Sequence, residues 1–202
     1  MRPSLLLSLT FAAISLPAQT PSQSGSMGQP RTTNPIDRPG YPPNVTQDDQ
    51  RTANKIDEKR FVKDALLGGM TEVELGKLAV EKASTDPVKQ FGQKMIDDHS
   101  KANDELKAIA SKENIPVPES LDSKHQSRVE KLSKLSGADF EKAYVKDQLK
   151  DHQQDVREFQ EEAKSGTDPD VKSFASKTLP TLEEHLNMAK ELEKTKKTTA
   201  SK

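Results

Sequence analysis

Residues 83 positions apart repeat down this chain: Phe61 answers to Tyr144, Val88 to Val171 and Phe91 to Phe174. Phe61-Val62-Lys63-Asp64 returns as Tyr144-Val145-Lys146-Asp147. Asp86-Pro87-Val88-Lys89-Gln90-Phe91 returns, with one residue inserted, as Asp168-Pro169-Asp170-Val171-Lys172-Ser173-Phe174. Self-similarity at a fixed period marks one supersecondary unit used more than once. Each copy reads as helix, tight turn, helix, so the chain is confined to two antiparallel helical hairpins.

The apolar periods locate the helices. From Asp57 to Ser84, Val62, Leu66, Val73 and Val80 share a face, beside a strip of small residues, Ala65, Gly69, Gly76 and Ala79. Such a strip lets a neighbouring backbone approach closely, and Glu72 falls within it. Asp86 and Asp168 read as N-caps with Pro87 and Pro169 at the first helical position, where the missing N–H costs nothing. The second helix carries Val88, Phe91, Met95, Ala102, Leu106 and Ile109 at three- and four-residue steps and ends by Asn114. Residues 114–137 form a long connection with one short amphipathic helix, bearing Leu121, Val129, Leu132 and Leu135. The third long helix starts near Asp139, with Phe140, Val145, Leu149, Val156, Phe159 and Ala163 as its stripe. The fourth shows Val171, Phe174, Leu182, Ala189 and Leu192, and Pro180 inside it predicts a kink. The expected fold is all-α: a ferritin-like four-helix bundle of two duplicated hairpins joined by a long crossover with a short helix.

That bundle occupies residues 57–195. Before it, Arg2 and the apolar run Leu5 to Leu16 have the form of a signal peptide over residues 1–19, which predicts export to the periplasm or cell envelope. The run is too short to span a bilayer and no second one follows, so no integral membrane segment is expected in the mature chain. Residues 20–56, rich in Pro, Ser, Thr and Gln, cannot bury enough surface to offset their ordering entropy and read as a disordered linker. Residues 196–202 read as a flexible basic tail. The chain has no cysteine, which excludes disulfides and thiolate metal sites. Removing the first 20 residues takes Arg2 from the 31 Lys+Arg and leaves 30 against 32 Asp+Glu. With both signs interspersed and no Trp, nucleic acid is excluded as a partner; the sequence indicates neither a protein partner nor an oligomeric state.

Four polar residues interrupt the apolar stripes. His99 lies between Met95 and Ala102, His152 between Leu149 and Val156, and His185 between Leu182 and Ala189, while the first helix offers Glu72. Glu72 stands 13 residues before Thr85 and His99 stands 13 after Asp86; His152 and His185 lie 16 and 17 residues from Asp168. At about 1.5 Å per residue both pairs reach the middle of helices roughly 40 Å long, so the four are expected to converge. Buried polar groups without partners cost about 1–3 kcal/mol each, so these must satisfy one another, hold water, or hold a metal. Imidazole and carboxylate suit Zn, Fe, Mn, Ni or Cu. A ferritin-type di-iron centre is disfavoured, because the residues three before the histidines are Ile96, Leu149 and Leu182 rather than glutamate. His125 reads as an exposed residue of the connecting helix, and Asp147, Asp151 and Asp155 as a solvated face from which Asp155 could orient His152. No phosphate loop, nucleophile elbow or catalytic triad is present.

The stretches Gly69-Met70-Thr71-Glu72-Val73-Glu74-Leu75-Gly76, Met95-Ile96-Asp97-Asp98-His99, Asp151-His152 and Leu179-Pro180-Thr181-Leu182-Glu183-Glu184-His185 resemble an exported bacterial family, domain of unknown function 4142. The resemblance covers about residues 57–193. It implies a ferritin-like helical fold and no established activity. The family is often labelled an outer membrane protein, which at most indicates the envelope for a chain without strand alternation. Three functions follow as expectations: a metal-binding bundle using Glu72, His99, His152 and His185; a non-catalytic structural or interaction bundle without metal; and a redox enzyme using the metal, ranked below the other two.

Overall fold

The computed structural model describes the backbone of residues 47–200 and the side chains of residues 58–195. The expected signal peptide and the linker up to residue 46 lie outside the described residues. Five helices follow in order: α1 (Gln47–Lys82), α2 (Asp86–Lys112), α3 (Ser123–Ser133), α4 (Gly137–Ser165) and α5 (Pro169–Ala200). There is no strand among the described residues. None of these helices is long and apolar enough to cross a membrane. Two boundaries differ from expectation: α1 starts ten residues before Asp57, and α5 runs through Lys196 to Ala200. Both extensions are mostly polar, with only Ala53, Ile56 and Ala200 apolar, and offer no apolar period to read.

α1 packs on α2 and α4 on α5, and the hairpins join through α1 on α4 and α2 on α5. The crossover helix α3 lies against α1 and α4. This is the ferritin-like bundle, with its two turns at opposite ends. Glu58, early in α1, reaches the α4–α5 turn, and Glu141, early in α4, reaches the α1–α2 turn. The Glu141 carboxylate accepts from the Ser84 N–H (2.8 Å), the Ser84 hydroxyl (3.2 Å) and the Thr85 N–H (2.6 Å). The Glu58 carboxylate accepts from the Thr167 N–H, the Thr167 hydroxyl (2.8 Å) and the Asp168 N–H (2.6 Å). Glu58 and Glu141 are themselves 83 residues apart, as are Ser84 and Thr167, and Thr85 and Asp168.

The caps follow that spacing rather than the shared Asp-Pro dipeptide. Asp168 is the expected N-cap, its carboxylate accepting from the Asp170 and Val171 N–H groups at 2.9 and 3.0 Å. In the first hairpin the cap position belongs to Thr85 (φ −112°, ψ 140°), and Asp86 is already helical. The residue inserted in the second copy moves its Asp-Pro back by one position. α2 closes with Asn114 at φ 54°, where the Ile115 N–H reaches the Ala110 carbonyl at 2.8 Å, a left-handed stop.

The small strip on α1 works as expected. A Cβ on Gly76 would stand 2.6 Å from the Gly92 carbonyl oxygen, and one on Gly92 would stand 2.7 Å from the Ala79 Cβ. The rest of the α1 face differs. Val80 is 39% exposed, whereas Leu67, Leu75 and Ala79 are buried. A seven-residue step drifts about 20° per repeat on a straight helix, which turns Val80 out. α5 continues as one helix through Pro180. The core divides into two apolar clusters. One centres on Leu66, Leu106, Phe159 and Phe174, the other on Leu75, Phe91, Phe140 and Tyr144. Buried polar residues, among them Glu72, His99, Gln148, His152 and His185, accompany them.

Candidate metal centre

His99 of α2, His152 of α4 and His185 of α5 meet inside the bundle. All three are buried, and one ring nitrogen from each lies within 4.8 Å of the other two. The ring centroids are 5.3, 5.3 and 5.7 Å apart. Bonds of about 2.0–2.1 Å in tetrahedral geometry place nitrogens roughly 3.3 Å apart, so closing on an ion takes side-chain movements of about an ångström.

Hydrogen bonds decide which nitrogens are available. His152 Nδ1 lies 3.1 Å from the Gln148 carbonyl oxygen, which can only accept, so Nδ1 carries the proton and Nε2 the lone pair. His185 Nε2 lies 2.8 Å from Asp98 Oδ2, so the proton sits there and Nδ1 is bare. His152 Nε2, His185 Nδ1 and His99 Nε2 are buried without a hydrogen-bond partner. Burial holds all three imidazoles below their ordinary pKa. For His99 the other two histidines add to it, and His185, despite its bond to Asp98, is lowered to about 4. Asp98 is kept below its ordinary value: burial works to raise it, but the bonds from His185 and Lys94 outweigh burial. Three neutral imidazoles gathered in one place, two of them held by an acceptor behind the ring that leaves the other nitrogen bare, form a set that can hold a metal ion.

Glu72, expected with them, is not part of this group. It is fully buried, and its Oε1 accepts from Arg128 Nη2 at 2.9 Å. Arg128 enters from α3 and also meets Asp147 (2.6 Å) and Asp151 (3.0 Å). A buried carboxylate gains more from a guanidinium than from neutral imidazoles, and the crossover helix supplies one. Asp147 and Asp151 are therefore a docking site for Arg128 rather than a solvated face. Burial, with Glu72 next, raises Asp151 to about 7. Asp155 does not orient His152, whose Nδ1 goes to Gln148 instead; burial, with Asp151 and Glu72 nearby, pushes its carboxyl well up. His125 stands apart on α3, its side chain 14% exposed, with Nδ1 at 2.7 Å from the Asp122 carboxylate that also caps the helix. Sequence reasoning missed Arg128, Asp98 and Gln148. The signal available for Gln148 was its place one turn before His152.

A cavity of about 40 Å³ adjoins the centre, with His99 in its wall. Asn103 and Asp155 give it polar atoms, and Gly69 of α1 faces it. A Cβ on Gly69 would fall 2.2 Å from Asn103 Oδ1.

Residues 43–192 match the family model described as Domain of unknown function (DUF4142). No curated protein matches the chain. Among solved structures, the crystal structure of a DUF305 fragment from Deinococcus radiodurans is similar, with a TM-score of 0.58 at 17% identity. The match covers 68% of this chain and 95% of that one, and it bears on the fold alone.

Proposed function

The chain belongs to the family described as Domain of unknown function (DUF4142), and we propose that it is an exported bundle that binds one transition metal ion, Zn, Fe, Mn or Cu, through His99, His152 and His185. The observation that carries this reading is three buried histidines that each bring a ring nitrogen within 4.8 Å of the other two, and that each hold one buried ring nitrogen without a hydrogen-bond partner. A core histidine serving only the fold would use both nitrogens, since leaving a buried polar group unpaired costs about 1–3 kcal/mol. Here Gln148 and Asp98 take the far nitrogens of two rings and leave the near ones for an ion. Because the imidazoles are already neutral in the fold, a metal displaces few protons near pH 7. Glu72 is outside the ligand set in this reading, and export rests on the signal-like N-terminus.

The test is metal content by mass spectrometry on untagged protein purified from the periplasm, alongside the His99→Ala/His152→Ala/His185→Ala variant. The parent should carry close to one ion per chain, and the folded triple variant none. A parent that stays metal-free after exposure to Zn, Fe, Mn and Cu would sink the proposal.

A further inference from the structure

We propose that the ion at the three histidines keeps one coordination position open toward the cavity beside His99, and that this position takes a small anion of at most three heavy atoms. The inference rests on the metal reading above. Three of the four long helices supply donors and α1 supplies none; at that place it presents Gly69, whose missing side chain lets the Asn103 amide lie against α1 in the cavity wall. Three protein donors with a vacant fourth position are the pattern of reactive rather than structural sites. A divalent ion among neutral imidazoles keeps its full charge, which favours an anionic fourth ligand. The cavity, about 40 Å³, holds two or three water-sized atoms and nothing larger. Asn103 and Asp155 line it and can hydrogen-bond to such a ligand. Leu106, Phe159, Phe174 and Leu182 give it an apolar wall, and Asp64 and Glu158 stand on its exposed side. Hydroxide fits this description, and azide is a probe of the same class.

The experiment loads the full chain with Co(II) and follows its visible spectrum during azide titration, measuring cobalt after gel filtration. The spectrum should change and saturate at one azide per cobalt, with the cobalt retained. Ala102→Leu, which fills the cavity and replaces no histidine and neither Asp98 nor Gln148, should keep cobalt stoichiometry and weaken azide at least tenfold. Thr178→Leu fills the same space from α5 and serves if the first variant does not fold. Cobalt retained with an unchanged spectrum, or an equal azide response in a filled variant, overturns the open position and leaves the metal reading standing. Failure to bind cobalt at all overturns both.

Discussion

Glu162 shows how much one carboxyl can depend on its neighbours. It sits half-buried near the end of α4, one oxygen buried without a partner, and burial with the Glu58 and Asp168 carboxylates raises it from 4.5 to about 7. The folded chain therefore holds a proton between about pH 4.5 and 7 that the unfolded chain has released. For this group, stability grows as pH falls through 7 and is lost as pH rises toward 7, with a constant penalty above. Glu162→Gln should raise stability at pH 8 by about 1 kcal/mol, allowing for solvent screening of a half-exposed group. The gain should shrink by pH 5, and urea unfolding at the two pH values measures both. At this scale the sequence was partly legible. His99, His152 and His185 could be found because each interrupts an apolar period on its own helix. Asp98 could not be assigned: it adjoins His99 yet serves His185 on another helix, and spacing within one helix says nothing about that. Glu72 went astray for a related reason, since its partner Arg128 reaches it from a crossover whose docking no periodicity encodes.

Among the elements, the hairpins are held by an exchange. Glu58 belongs to the first hairpin and ties down the turn of the second; Glu141 belongs to the second and ties down the turn of the first. Both carboxylates are buried, so their loss leaves turn N–H groups without acceptors. Glu58→Ala and Glu141→Ala should each cost about 2–4 kcal/mol in urea unfolding. Amide exchange should rise at residues 167–168 in the first variant and at 84–85 in the second. Loosening confined to the mutated hairpin's own turn would contradict the exchange. The repeat that reveals the helices was in plain view in the sequence. Its role in joining the halves was not, because Glu58 and Glu141 stand one turn before Val62 and Val145 as charges on the buried faces, and the turns they bind come from the opposite hairpin, which no period encodes.

Taken whole, the molecule keeps an apolar cluster toward each end and gathers His99, His152 and His185 between them. Either cluster can hold its helices without an ion, so the metal should tune stability rather than create the fold. Chelation of a loaded sample should leave helical content by circular dichroism unchanged. It should lower Tm by about 5–10 °C, given roughly 2.7 kcal/mol at free metal 100-fold above Kd and 2–4 °C per kcal/mol at this size. The triple histidine variant should show no such shift. The 83-residue spacing has one more consequence. Counted by it, His152 corresponds to Gly69, His185 to Ala102 and His99 to Leu182, and all three counterparts line the cavity. A faithful doubling would have crowded two rival triads into the midsection and left no vestibule. The halves agree where they brace each other and diverge around the three histidines, so the cavity beside His99 exists because the copy was not kept there.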